Sequence, residues 1–473
     1  MVFSSLLFLC LFMPVVFILH SVIPNLKVRN YLLLLASLFF YAYGEPIYIF
    51  LMLISSLLNY ILALLIDKKK KRVFLVLAVI VNLGFLGVFK YTGFLLTTVN
   101  SVLNISLPVP DITLPIGISF FTFQILSYVI DVYRKQVPVQ KNYCKLLLYI
   151  SFFPQLIAGP IVRYKDIARE IDERHTDMQS IAFGLRRFIV GLGKKVLISN
   201  TMAVVVDFMF NLNHEDLNIL SAWIGALAYI MQIYFDFSGY SDMAIGLGRI
   251  FGFHFKENFM YPYIASSIQD FWRRWHISLS TFFRDYVYIP LGGNRKGKGR
   301  TVLNKIFVFF LTGLWHGANW TFIVWGLFHG FFLLLEEFIP QIKKLPKVIS
   351  HFYTLVTVTV GFVIFRADTL SYGLSFIAKM FSGFDFSAEK MSIVIHPLSP
   401  FFIIMFIVAI ICCGPLQKLS VKVSNLQQNS ASALTKTEST IQALTFLCAF
   451  IIFVWCIIRL AGGTYNPFIY FRF

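Results

Sequence analysis

Residues 269–300 read QDFWRRWHISLSTFFRDYVYIPLGGNRKGKGR, and after an apolar run residues 313–330 read GLWHGANWTFIVWGLFHG. Three histidines, His276, His316 and His329, stand here among tryptophans, arginines and apolar segments of bilayer length. An ionisable side chain at membrane depth is costly and by default marks a functional site. Histidine is the side chain best suited to moving a proton near neutral pH. The stretch therefore points to chemistry carried out within a membrane.

The composition agrees. The 473 residues are 58% hydrophobic and only 14% charged, with 53 phenylalanines and a mean hydropathy of +0.74. Runs long enough to cross about 30 Å of hydrocarbon recur throughout. We expect an all-α polytopic integral membrane protein folded as one membrane domain over 1–473, with a catalytic core at about 114–337. The net charge of +18 would suggest nucleic acid on a soluble protein. On this chain it reflects Lys and Arg crowding cytoplasmic loops, so membrane lipids and not nucleic acid are the expected partners. The six cysteines lack metal-ligand spacing, and neither a disulfide framework nor a zinc site is indicated. HExxH, P-loop and nucleophile-elbow patterns are absent, so neither a metal nor a permanently bound cofactor is expected.

Candidate spans lie at 3–20, 31–44, 46–66, 73–95, 114–132, 144–160, 186–208, 219–235, 240–253, 302–316, 319–337, 350–366, 399–414 and 440–461. Some are too short to cross and read as re-entrant. The N-terminus lacks a basic region and a cleavage site and reads as a first span. Basic clusters at Lys27 and Arg29, Lys68–Arg72, Arg295–Arg300 and Lys343–Lys347 place those loops inside and both termini outside. From Gln269 to Leu291 the pattern predicts an interfacial or re-entrant helix. Asp270, Arg273, Arg274, Thr281 and Arg284 fall on one face, and Trp272, Trp275, Leu279, Phe282 and Tyr286 on the other.

His316 reads either as a packing histidine or as a general base that deprotonates an acceptor hydroxyl. Gly313 and Gly317 are spaced for close helix approach. Gly317, Ala318 and Asn319 break the helix and free backbone N–H groups for a developing oxyanion. His276 lies where the two faces of its helix meet and reads as an orienting group or a structural one. His329 reads as packing. Arg273, Arg274 and Arg284 suit either Asp270 and Asp285 or the phosphates of a donor or headgroup. Asp236 and Asp242 read as salt-bridge partners more than as a proton path. FPQLIAGPIVRY (153–164), with Pro154, Gly159, Pro160 and Arg163, predicts a broken helix lining a cavity.

FWRRWHISLSTFFRDYVYIPLGGNRKG and LTGLWHGANWTFIVWGLFHG resemble the signature of the membrane-bound O-acyltransferase superfamily, in its bacterial alginate and peptidoglycan O-acetyltransferase branch. LPIGISFFTFQILSYVIDVYR (114–134), FPQLIAGPIVRY and YFDFSGYSDMAIGLG (234–248) resemble the same branch. The teichoic-acid D-alanylation branch is similar at the WRRWH-like and WHG segments and lacks the IPLGGNRKG loop. The resemblance implies a ring of transmembrane and re-entrant helices around a central tunnel. It matches the family's essential histidine to His316 and its second to His276. It implies acetyl-CoA or an acyl-carrier thioester as cytosolic donor, with Arg273, Arg274, Trp275 and Asn319 as candidate donor contacts. It also implies an extracytoplasmic esterase-like (SGNH-type) partner and residence in a bacterial cytoplasmic membrane. The tail NPFIYFRF (466–473) resembles the aromatic tails of related members. Tyr470 is accordingly a candidate acyl relay or, alternatively, an interfacial anchor. A competing reading is a proton-coupled transporter or flippase of an envelope precursor. It predicts paired half-repeats, and none is evident in the chain.

Overall fold

The computed structural model describes residues 1–69, 71–157, 159–414, 416, 436–463, 465–467 and 469, and every structural statement below concerns these residues. They are built from helices, with no strand among them. In hydrocarbon each backbone N–H and C=O needs a partner inside the protein, and a helix supplies it within its own segment.

Seven helices among these residues are long and apolar enough to cross a membrane: Tyr48–Lys69, Arg72–Leu103, Met178–Phe210, Ile219–Ile250, Trp320–Phe338, Lys347–Arg366 and Gln442–Ala461. Ala388–Ile395 and Pro400–Cys412, bent by 69°, make an eighth if taken as one broken span. Phe8–Val22 and Ile118–Tyr133 are shorter apolar helices, and Leu26–Gly44 stands between Phe8–Val22 and Tyr48–Lys69.

Three expectations change. The spans anticipated at 219–235 and 240–253 are one unbroken helix, Ile219–Ile250. Its Gly239 serves packing, not a break. A Cβ on Gly191 would lie 2.5 Å from the Gly239 carbonyl oxygen, and one on Gly246 the same 2.5 Å from that of Gly184. The Met178–Phe210 and Ile219–Ile250 helices thus touch backbone to backbone at two levels. The span at 144–160 divides into Tyr143–Ser151 and a single turn, Phe153–Leu156, which begins with Pro154 in its first turn.

The third change concerns Gln269–Leu291, where one helix becomes two, Ile268–Arg274 and Ile277–Phe283. His276 stands between them at φ 44°. A neighbouring strap replaces the helical hydrogen bonds lost there. Met260 N–H donates to the Arg274 carbonyl and Ile277 N–H to the Asn258 carbonyl, both at 2.9 Å, and Ser278 N–H donates to Asn258 Oδ1 at 3.0 Å. The predicted faces survive the break: Trp272, Trp275, Leu279, Phe282 and Tyr286 are all buried, while Arg273 and Arg284 are exposed. Glu336, itself buried, accepts the Ile268 N–H at 2.6 Å and so caps the first of these helices.

Candidate active site

The Lys298–His316 and Trp320–Phe338 helices form a hairpin with His316 at its turn. Gly313 and Gly326 bring the two backbones together: a Cβ on either would lie 2.3 Å from a carbonyl oxygen of the opposite helix. Gly317, extended at φ −167°, ends the first helix. Asn319 starts the second by accepting the Thr321 N–H at 3.1 Å.

This turn sets the His316 ring among aromatic rings. Trp315 is at 5.0 Å, Trp325 at 5.1 Å and Phe365 at 5.2 Å between centroids. The His276 ring, carried by the other half of the signature, stands 6.3 Å away. His316 is 4% exposed, and neither of its ring nitrogens has a hydrogen-bond partner among the described residues. A packing histidine in a dry core normally satisfies at least one of them. His329 is also buried, between Trp272 at 5.3 Å and Trp325 at 5.2 Å, lies against Gly361, and likewise has no partner at either ring nitrogen among the described residues; what sets His316 apart is that it opens on a recess.

The carbonyls that end the His316 helix are held from outside. Lys90 Nζ donates to the Trp315 carbonyl at 2.6 Å and to the His316 carbonyl at 3.2 Å. The Tyr91 hydroxyl donates to the Leu314 carbonyl at 2.9 Å. An ammonium there satisfies orphan carbonyls and meets the negative end of the helix dipole. Sequence reasoning passed over Lys90 because it lies inside the apolar stretch 73–95. Its signal was nonetheless present: a lone ionisable residue within a span.

Two recesses approach the histidine layer. One, of about 280 Å³, is lined by Glu45, Lys90, Ser119, Trp315 and His316. The other, of about 50 Å³, is lined by Arg163, Asp166, Lys256, Ser278 and Thr281. They lie at opposite ends of the Ile118–Tyr133 helix. Its first residues line the larger recess. Its last residues are tied to the smaller through Arg163, which lines that recess and pairs with the Asp285 carboxylate at 2.9 Å, while Arg134 donates to the Asp285 carbonyl. The broken 153–164 segment runs between the two, with Ile157 on the larger recess and Pro160 to Arg163 on the smaller. Between them also lies an aromatic plug centred on Phe123, stacked on Phe282 at 4.0 Å and packed on Trp315 at 5.6 Å.

The other sequence-derived site residues sit apart from both recesses. Arg274 pairs with Asp270 at 2.9 Å, Arg273 is exposed, and Trp275 is buried on Phe259 and Phe362, each at 5.1 Å. Asn319 is committed to its helix cap and to the Asp368 carbonyl at 3.1 Å. The Gly317 N–H, anticipated as free for an oxyanion, reaches the Gly313 carbonyl at 3.4 Å. The nearby donors with no acceptor among the described residues are the indole N–H groups of Trp315 and Trp325. Asp242 pairs with Arg187 and Lys194, both at 2.6 Å, and Asp236 pairs with Lys195, as salt-bridge partners. Tyr470 lies outside the described residues.

Comparison with known proteins bears on this geometry. The family model of membrane-bound O-acyltransferases matches residues 121–377, a range containing both histidines and the aromatic plug. A probable alginate O-acetylase AlgI of Azotobacter vinelandii is 39% identical over the whole of both chains. That of Pseudomonas aeruginosa is 44% identical over 81% of this chain and 75% of its own. A peptidoglycan O-acetyltransferase of Helicobacter pylori is 38% identical over 80% of each. With a family match across more than half its length and full-length relatives at this identity, the chain belongs to the membrane-bound O-acyltransferase family and is a multi-pass membrane enzyme, an O-acyltransferase.

Proposed function

We propose that the protein takes an acetyl group from a cytosolic thioester, acetyl-CoA or an acyl carrier, and delivers it across the membrane for O-acetylation of an extracytoplasmic cell-wall polymer or exopolysaccharide. The observation that carries this reading is the recess that opens on His316, with a second recess beside Ile277 and Ser278, the residues that follow His276. The smaller recess lies at the basic end. There Lys256 pairs with Asp166, Lys145 pairs with Asp172, and Asn30, next to Arg29, donates to the Ile171 carbonyl. By the positive-inside rule this end is cytosolic. The larger recess includes Glu45, and the Met1 amino group lies against Gly44, so the N-terminus belongs to the outer end.

In the proposed reaction His316 takes the proton of an acceptor hydroxyl. The oxygen attacks the thioester carbonyl carbon, forming a C–O bond, and the tetrahedral intermediate breaks its C–S bond. The departing thiolate recovers the proton from the imidazolium. The indole N–H of Trp315, at the edge of the larger recess, donates to the oxyanion. His276 orients the reacting groups from the facing turn. The aromatic plug keeps bulk water from the thioester. Arg273, which is exposed, meets headgroups or the donor's phosphates, and Arg274, paired with Asp270, supports it. Names borne by relatives, alginate O-acetylase and peptidoglycan O-acetyltransferase, favour a polysaccharide acceptor reached through an esterase-like partner outside.

The test is reconstitution in nanodiscs with radiolabelled acetyl-CoA and the purified partner. Label is expected on the polymer only when both proteins are present. Thioester turnover that requires no acetyl acceptor, or none with any thioester, would overturn the reading.

Two variants probe its parts. Lys90→Met leaves the Trp315 and His316 carbonyls without their charged donor. Charge-assisted bonds of this kind contribute about 1.5–3 kcal/mol, so kcat/KM is expected to fall about 10–100-fold. Rescue by Lys90→Arg would separate charge from packing. Tyr470→Phe tests the acyl relay: a phenol, with a pKa of about 10, needs a base to act as nucleophile. Radiolabel on the protein and polymer acetylation are both expected to disappear in this variant. Full polymer acetylation would remove Tyr470 from the pathway.

A further inference from the structure

The Met178–Phe210 and Ile219–Ile250 helices bury an ion pair that the proposed reaction does not use. Lys195 Nζ lies 2.6 Å from Asp236 Oδ1, with the side chains 1% and 0% exposed. Both residues fall near the middle of helices of 33 and 32 residues. A buried pair repays its desolvation only if its remaining hydrogen-bonding positions are also filled. Here backbone from beyond the last helix supplies one further partner to each residue. Lys195 Nζ donates to the Pro467 carbonyl, and the Ile469 N–H donates to Asp236 Oδ2 at 3.1 Å.

The tail is also gripped before it reaches the pair. Asn466 accepts from Asn200 Nδ2 at 3.0 Å and donates to the Ser4 carbonyl at 3.1 Å. The Tyr465 hydroxyl donates to Asp207 at 2.8 Å. That carboxylate also holds Arg366 at 2.6 Å, the residue after the Phe365 that packs on His316. At the deep end, Asp236 precedes Phe237, which packs on Trp275 at 6.3 Å, the neighbour of His276. The described residues of the segment thus follow the Met178–Phe210 helix from Asp207 near its end, past Asn200, to Lys195 at its middle.

We propose that Lys195 and Asp236, with Asn200 and Ser4, form a built-in peptide-binding site whose ligand is the chain's own C-terminal segment. The pair reads the tail by its backbone carbonyl and amide, and Asn466 fixes its register. Lys195 and Asp236 are positioning residues: they hold Pro467 and Ile469 against the middle of the Met178–Phe210 and Ile219–Ile250 helices. This statement stands on the contacts of 465–469 and does not depend on the identity of the acyl acceptor.

The test is hydrogen exchange with mass spectrometry on the full-length protein in nanodiscs, followed at the C-terminal peptide and at helix peptides. The double variant Lys195→Met/Asp236→Leu removes the site without leaving one charge buried alone. Exchange of the tail amides is expected to rise at least about tenfold, with the helix peptides unchanged. A merely structural pair would loosen the helices and leave the tail no different from them. Asn466→Ala, which leaves the ion pair intact, is expected to raise tail exchange severalfold and serves if the double variant does not fold. Tail exchange equal to wild type in Asn466→Ala, or in a folded double variant, would overturn the proposal. Raised tail exchange with acetyl transfer retained would count against the acyl-relay reading and leave this site standing.

Discussion

His316→Ala is expected to lower kcat/KM for acyl transfer from the thioester by about 10²–10⁴-fold, the contribution typical of a positioned general base. At about 1.4 kcal/mol per factor of ten, that is roughly 3–5 kcal/mol of lost transition-state stabilisation. The size follows from the setting. The ring is held by Trp315, Trp325 and Phe365, so it loses little freedom in reaching the reactive geometry. Both nitrogens are without partners among the described residues, so one can take a proton while the other needs no rearrangement. Alanine also leaves a hole among those rings, which is why His316→Gln is the sharper variant. It keeps most of the volume and removes the base. Turnover of radiolabelled thioester should be equally low in both, with melting temperature nearly unchanged for glutamine. A Gln variant that turns over donor at the wild-type rate would remove His316 from the chemistry. His276→Gln is expected to lose less, since it acts by orienting groups across the 6.3 Å gap between the rings.

Gly191→Leu should have a large effect on stability. At Gly191 a Cβ alone would sit 2.5 Å from the Gly239 carbonyl oxygen and 2.8 Å from the Met243 nitrogen. Both are backbone atoms of a buried helix, so neither can turn aside as a flexible side chain would. Overpacking of this kind costs about 1–3 kcal/mol in soluble cores and occasionally more, and the rigid partner puts this site at the upper end. Separating the two helices would also stretch the Lys195–Asp236 and Lys194–Asp242 pairs that the crossing brings together. The expected result is a melting temperature lower by several degrees and partial aggregation in detergent, measured by size-exclusion chromatography with thermal challenge. Gly84→Leu is the control, because a Cβ there meets nothing within 4 Å. Equal stability of the two variants would mean that the crossing relaxes without cost.

The legible parts of the fold were those written in local periodicity. The two faces of 269–291 could be read from the spacing of Arg273, Trp275, Leu279 and Phe282, and burial follows that spacing. The break at His276 could not be read, because the atoms that replace the helical bonds belong to Asn258 and Met260, in a strap with no pattern of its own. The one helix Ile219–Ile250 read as two spans, 219–235 and 240–253, with Gly239 in the gap between them. A glycine that breaks a helix and one that admits a neighbouring backbone are identical in sequence, and only the partner, Gly191, distinguishes them. Lys90 and Lys195 were visible as charges within apolar stretches, but not their partners, which lie across 225 and 272 residues of chain at Trp315 and Pro467.

From sequence alone came the membrane class, the helical architecture, the family signature and the two histidines, since each follows from residue type, spacing or a contiguous motif. The tertiary structure decided what those residues face. It set His276 opposite His316, opened a recess on His316, capped the His316 helix with Lys90, and laid Pro467 and Ile469 on the Lys195–Asp236 pair. The physical reason is the low dielectric of the bundle. There an ionisable or polar group is tolerated only where specific partners meet it, and those partners come from segments that local sequence does not connect.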